Sequence, residues 1–133
     1  MVGPVAVAQP YQLIRLPLTA FPYKGHKIVR VADFTVEARV LSLAWRFPAG
    51  DFARLSPVDI AVGWGFMAEE ESAAMYKIHH VPAVRRLLFT VSWASGAAGM
   101  VNFHVANIHV IPAGAAVEKK LREVRVGDVV AME

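Results

Sequence analysis

The clearest pattern along the chain lies at residues 34–40. Phe34, Val36, Ala38 and Val40 alternate with Thr35, Glu37 and Arg39. A period of two marks a strand with one wet face. Ile28, Val29 and Val31 form an extended lead into it, and the strand can run on to Trp45. Upstream, 12–16 reads as a short extended piece. Pro17 and Pro22 confine this segment to an edge or to irregular structure. Tyr23-Lys24-Gly25-His26 is a turn, and Phe47-Pro48-Ala49-Gly50-Asp51 turns the chain again. Further strands are expected at 76–81, at 87–93 and from Met100 onward. In the last of these, Val101, Phe103 and Val105 alternate with Asn102, His104 and Ala106, and a bulge at Asn107 shifts the alternation before Ile111. Val126-Gly127-Asp128 turns into a final strand at 129–132.

Three stretches read as helical. In SPVDIAVGWG (56–65), Ser56 is a helix cap, Pro57 fits the first helical position, and Asp59 favours the positive helix end. Gly63 stops that helix in left-handed geometry, and Gly65 allows a second bend. Trp64 between them is read as a lid on the core, with a role in lining an apolar groove as the alternative. Residues 67–76 place Met67, Ala74 and Met75 on an apolar face and Glu69, Glu70 and Glu71 toward water. After Pro112, Val117, Leu121 and Val124 form an amphipathic seam.

The pattern predicts a mostly-β (α+β) domain. It would be a small, bent antiparallel sheet or partial barrel, OB-like or SH3-like, with two or three short helices. At 133 residues, one globular domain over 11–133 is expected. Residues 1–10 read as a flexible leader or the remnant of a signal peptide, since Ala6-Val7-Ala8 has the small-x-small form of a cleavage site. That favours a periplasmic or otherwise exported protein, with a cytoplasmic one as the alternative. Residues 87–106 lack charge over about the length of a spanning helix. Gly96, Gly99, Ser92, Ser95, Asn102 and His104 dilute the stretch, so two buried strands and a loop are expected there and no transmembrane span.

Composition sharpens the picture. The chain is 56% hydrophobic, against roughly 45–50% for ordinary soluble domains. Either the core is large or apolar surface meets a partner. The net charge of +3 is spread over scattered residues, with no basic run. Arg85-Arg86 with Phe89 and Trp93 is the one candidate for single-stranded nucleic acid, and none is expected to bind. With no cysteine, disulfides, thiol catalysis and cysteine-ligated zinc are excluded.

Five histidines, His26, His79, His80, His104 and His109, are possible metal ligands. Adjacent His79 and His80 point to opposite strand faces, no H-x-H or H-x₃-H spacing occurs, and no metal or cofactor is expected. Ser56 serves better as a cap than as a nucleophile, and no G-x-S-x-G is present. His109 with Asp59 or Asp128 and a serine could be assembled in space only by the fold. The acidic run 69–71 reads as a solvated helical turn, and Gly63-Trp64-Gly65 lacks the third glycine of a dinucleotide fingerprint.

The stretches SPVDIAVGWG (56–65), VANIHVIPAGAAVEKKL (105–121) and VRVGDVVAME (124–133) resemble an uncharacterised family of small exported bacterial proteins. Its members carry S-P-V-D-L-A-L-G-W-G, then N-M-H-L-I-P-A, then a G-x-x-V-x-L-x-G-Y-L-V ending. The resemblance runs from about Phe34 onward and implies no established activity. Members continue through a Gly-Tyr-Leu-Val strand into a polar segment with a cysteine, so a function housed there is not expected of these 133 residues. Ile78-His79-His80-Val81 stands where relatives are polar, so a role for those histidines would not be a family trait.

The expected function is a non-catalytic binding or assembly module of the bacterial envelope, with a protein partner or a second copy of itself. Its support is the apolar excess and a last strand open to completion by another chain. The alternatives are a small-molecule or metal binder using Trp64, His79, His80 and His109, and a weak single-stranded nucleic-acid binder.

Overall fold

The computed structural model describes residues 8–46, 51–81, 86–88 and 98–133. They form a mostly-β domain around one long strand. Strand β1 (Tyr11–Tyr23) turns at Lys24-Gly25 into β2 (His26–Trp45). All pairings are antiparallel. β1 lies along 26–35 of β2, β7 (Val129–Met132) along 36–39, and β3 (Val58–Gly63) along 39–45. β6 (Val105–Val110) adds to β3, giving the order β1-β2-β3-β6 with β7 also on β2. The sheet is bent and open, with three short helices, α1 (Asp51–Leu55), α2 (Glu70–Tyr76) and α3 (Ala115–Glu123). A separate two-stranded ladder joins β4 (His79–Val81) to β5 (Arg86–Leu88). None of the described helices is long and apolar enough to cross a membrane.

The alternation at 34–40 appears as expected: Val36, Ala38 and Val40 are buried while Thr35 and Glu37 are exposed. β2 then continues to Trp45 by way of a bulge. Its register against β3 shifts between Val40 and Ser42. The extra residue, Leu41, leaves the first core cluster, which holds Val36, Ala38 and Val40, and joins a second on the other face. One strand thereby serves two layers.

Residues 58–63 are a strand, not the expected helix. Ser56 ends a helix rather than starting one: its N–H donates to the Phe52 carbonyl at 2.9 Å, closing α1. Pro57 leads into the ladder, its carbonyl accepting the Arg46 N–H at 2.8 Å. Val58, Ile60 and Val62 point into the first cluster and Ala61 into the second. That is a period of two in β-branched residues, which favour a pleated, covered strand over a short helix. All six residues of β3 are buried, as a strand paired on both edges and covered on both faces must be.

Other boundaries moved. A 3-10 turn at Gly65–Ala68 and α2 share the segment expected as one helix, because Glu69 is extended between them. Ala73 and Tyr76 face the core there, whereas Ala74 and Met75 are exposed. Residues 98–103 form a 3-10 turn, not strand, and β6 begins at Val105. β6 runs against β3 without a register shift, so there is no bulge at Asn107. On α3, Leu121 is buried and Val124 packs on the first cluster, but Val117 is exposed. Residues 1–7 of the expected leader over 1–10, residues 47–50 of the expected turn over 47–51, most of the Arg85-Arg86, Phe89 and Trp93 candidate and most of the 94–99 loop lie outside the described residues.

Two glycines flank Trp64 for different reasons. A Cβ on Gly63 would sit 2.8 Å from both the Leu41 Cδ1 and the Met67 carbonyl oxygen. Gly63 is there for close approach, not for the left-handed backbone of a helix stop. Gly65 does take that backbone, at φ +57°. Trp64 itself is extended, and 8% exposed it packs into the first cluster as a lid. Replacing Gly63 with valine should cost about 1–3 kcal/mol, the usual scale of overpacking, because the Met67 carbonyl is backbone and cannot swing aside. Urea denaturation measures this, and an unchanged midpoint would contradict the packing at this corner.

Candidate functional site

Antiparallel pairing lines up two rows of side chains across β2, β3 and β6. One row is Ser42, Ala61 and Asn107; the next is Ala44, Asp59 and His109. Paired residues put their side chains on one face, so small alanines leave room there for polar neighbours.

Asp59 is fully buried. Its Oδ1 accepts from His109 Nδ1 at 2.7 Å, and its Oδ2 is ion-paired with the Arg46 guanidinium. A buried carboxylate needs such partners, since removal from water costs several kcal/mol. Arg46 comes from just past β2 and His109 from β6, so the charge clasps three strands. The sequence reading gave Asp59 a helix-end role; it is instead an interior acid. It does meet His109, as one imagined triad required, but no serine hydroxyl bonds His109 among the described residues.

In the other row, His80 bridges the alanine gap. Its Nδ1 is 2.8 Å from Ser42 Oγ and its Nε2 is 2.9 Å from Asn107 Oδ1. A hydroxyl, an imidazole and an amide in this order can orient a base toward a nucleophile. Their evident effect is mechanical: they pin β4, a three-residue strand, to the main sheet. His79, on the opposite face as expected, is exposed and bonds the Lys77 carbonyl at 3.1 Å. His104 packs its ring 4.9 Å from that of Phe66. No three described His, Cys, Asp or Glu side chains gather as a metal cluster. Trp64 lines neither of the two described clefts. The structure thus places Trp64 in the first cluster, His80 with Ser42 and Asn107, His109 with Asp59, and His79 at the surface.

What the structure adds is an open cleft of about 570 Å³. Residues 30 and 32–35 of β2 form one wall, Ile108–Ile111 the other, and Met132 and Glu133 close one end. Its floor is apolar, because Phe34, Ile108, Val110 and Met132 are the outer edge of the first core cluster. His109 stands on the wall, its side chain 45% exposed. The Tyr23 hydroxyl donates to the Pro112 carbonyl at 2.5 Å, which ties the tip of the β1–β2 ribbon to the segment just past β6.

Beside this cleft β6 has a free edge. The Arg46 N–H bonds the Pro57 carbonyl and the Trp64 N–H bonds the His104 carbonyl. Bonded pairs alternate in antiparallel ladders, so residues 58, 60 and 62 bond to β6 and residues 57, 59, 61 and 63 face β2. By the same alternation Val105, Asn107 and His109 turn their N–H and C=O groups away from β3. Among the described residues no strand receives them. The edge carries no proline and no bulge, and its one titratable side chain is His109, so the usual guards against strand addition are missing.

No family model, curated protein or solved structure matches the chain. The geometry is therefore the ground for a functional reading. Ser42, Asn107 and Arg46 escaped the sequence reading because each finds its partner only through strand pairing, across 13–38 residues.

Asp59→Asn should destabilise the fold by about 3 kcal/mol, the scale of breaking a buried ion pair, and should speed amide exchange in β6 as well as β3. A loss confined to β3 would contradict the three-strand clasp.

Proposed function

We propose that the chain is a non-catalytic binding module that accepts an extended segment of a protein partner along the free edge of β6. The observation that carries this reading is the coincidence of an unguarded strand edge with a cleft floored by open core. Strand addition draws affinity from main-chain hydrogen bonds and selectivity from alternate side-chain pockets. Here Asn107 and His109 offer the main-chain groups, while Phe34, Ile108, Val110 and Met132 offer the apolar floor. The fitting segment alternates apolar residues, facing the floor, with polar ones near Arg30, Asp33 and Glu133 on the rim. An envelope location suits such a module but is not required by it.

Selection of a random displayed peptide library on the intact chain tests the reading. Selected peptides should alternate apolar and polar residues and slow amide exchange at Asn107 and His109. Ile108→Glu should weaken their binding at least about tenfold, the worth of one well-buried aliphatic side chain. Peptides that protect amides elsewhere, or a library that yields none, would sink it.

A further inference from the structure

The exposed side chains of the β1–β2 ribbon are not explained by the cleft beside β6. Every residue of β1 except Tyr23 is exposed. Leu13, Ile14, Leu16 and Leu18 are 53%, 70%, 82% and 56% exposed, and Val29 and Val31 on β2 are 45% and 58% exposed. Leu13 pairs with Asp33 and Ile14 with Ala32, so these neighbours lie on opposite faces and the ribbon exposes apolar side chains on both. So much exposed apolar area marks an interaction site.

Charge is concentrated on the same element. Residues 11–35 hold Arg15, Lys24, Lys27 and Arg30 against the single carboxylate Asp33. Four cations against one acid account for the whole of the chain's +3, and the remaining residues balance to zero. Asp33 is itself engaged by Arg15 at 3.0 Å. At the ribbon tip lies a second cleft, about 420 Å³, lined by Lys24, Arg46, Arg54 and Arg122, with Glu118 its only acid. Arg122 is paired with Glu118 at 3.2 Å, and Lys24 Nζ donates to the Arg54 carbonyl at 3.4 Å. The Arg46 Nε–H is buried with no acceptor among the described residues.

We propose that the β1–β2 ribbon docks on an anionic phospholipid surface, with its aliphatic side chains in the interface and a phosphate headgroup beside Lys24 in the tip cleft. Apolar area and basic charge on one element are what interfacial binding to anionic lipid uses. A second ribbon would meet this one with like charge, which disfavours self-association there. Stacked nucleic-acid bases would call for rings; β1 exposes Tyr11 and Phe21, but aliphatic side chains outnumber them on the ribbon.

The test is co-sedimentation of the full chain with vesicles of phosphatidylcholine alone or in equal parts with phosphatidylglycerol. Binding is expected to the mixed vesicles, weak or absent on phosphatidylcholine, and reduced by added salt. Leu16→Asp with Leu18→Asp should abolish it with the melting temperature kept, since both side chains stand in water. Lys24→Gln should lower the partition coefficient about fivefold, the equivalent of one basic residue near an anionic surface. Four outcomes would each overturn the proposal: no binding to the mixed vesicles, equal binding to both kinds, binding of inorganic phosphate without vesicles, or binding of a single-stranded oligonucleotide without vesicles.

Discussion

A carboxylate shut off from water sits in the middle of this sheet, and the arrangement around it follows from the need to neutralise it. Asp59 can be buried because Arg46 and His109 reach it from the strands on either side. Those contacts fix how β2 and β6 lie against β3, and β3 in turn divides the interior into two clusters. Replacing the triad with apolar side chains could leave a stable sheet, since buried ion pairs are weak sources of net stability. What the charges add is register: a slip by one residue would turn Asp59 into an apolar layer with no cation at hand.

The edge of β6 and the cleft beside it follow from the same layout. Among the described residues β3 has a neighbour on each side, but β6 has one only. The apolar floor at Phe34, Ile108, Val110 and Met132 is core that the sheet begins to cover and does not finish covering.

Much of the sheet was legible because its signals are local. The alternation at 34–40, the turn at 23–26 and the turn before 129–132 each depend on residues within a few positions. The stretch at 56–63 was misread for the same reason. A serine, a proline and an acid in order satisfy the rules for a helix start, and those rules do not register that β2 and β6 wait on both sides. Val58, Ile60 and Val62 carried the competing period of two, but over six residues it is easily outweighed. The histidines show a different limit: adjacency placed His79 and His80 on opposite faces correctly, yet Ser42 and Asn107 could not be joined to His80 without the fold. The charge on the ribbon was legible and went unread, because a chain-wide count hides a local excess. It becomes visible only when cations and acids are counted segment by segment.

The tether between Tyr23 and Pro112 has a kinetic consequence. A ribbon fixed at its root by the sheet and at its tip by the Tyr23–Pro112 and Lys24–Arg54 hydrogen bonds is a hinged bar with a catch. If a segment does lie along β6, its course past Ile111 meets this catch. The rate of entry would then depend on how often the tip lets go as well as on how often the two molecules collide, and the same catch would slow escape. Affinity and exchange rate could be tuned separately, one by the side chains of the floor and the other by a residue that touches no ligand.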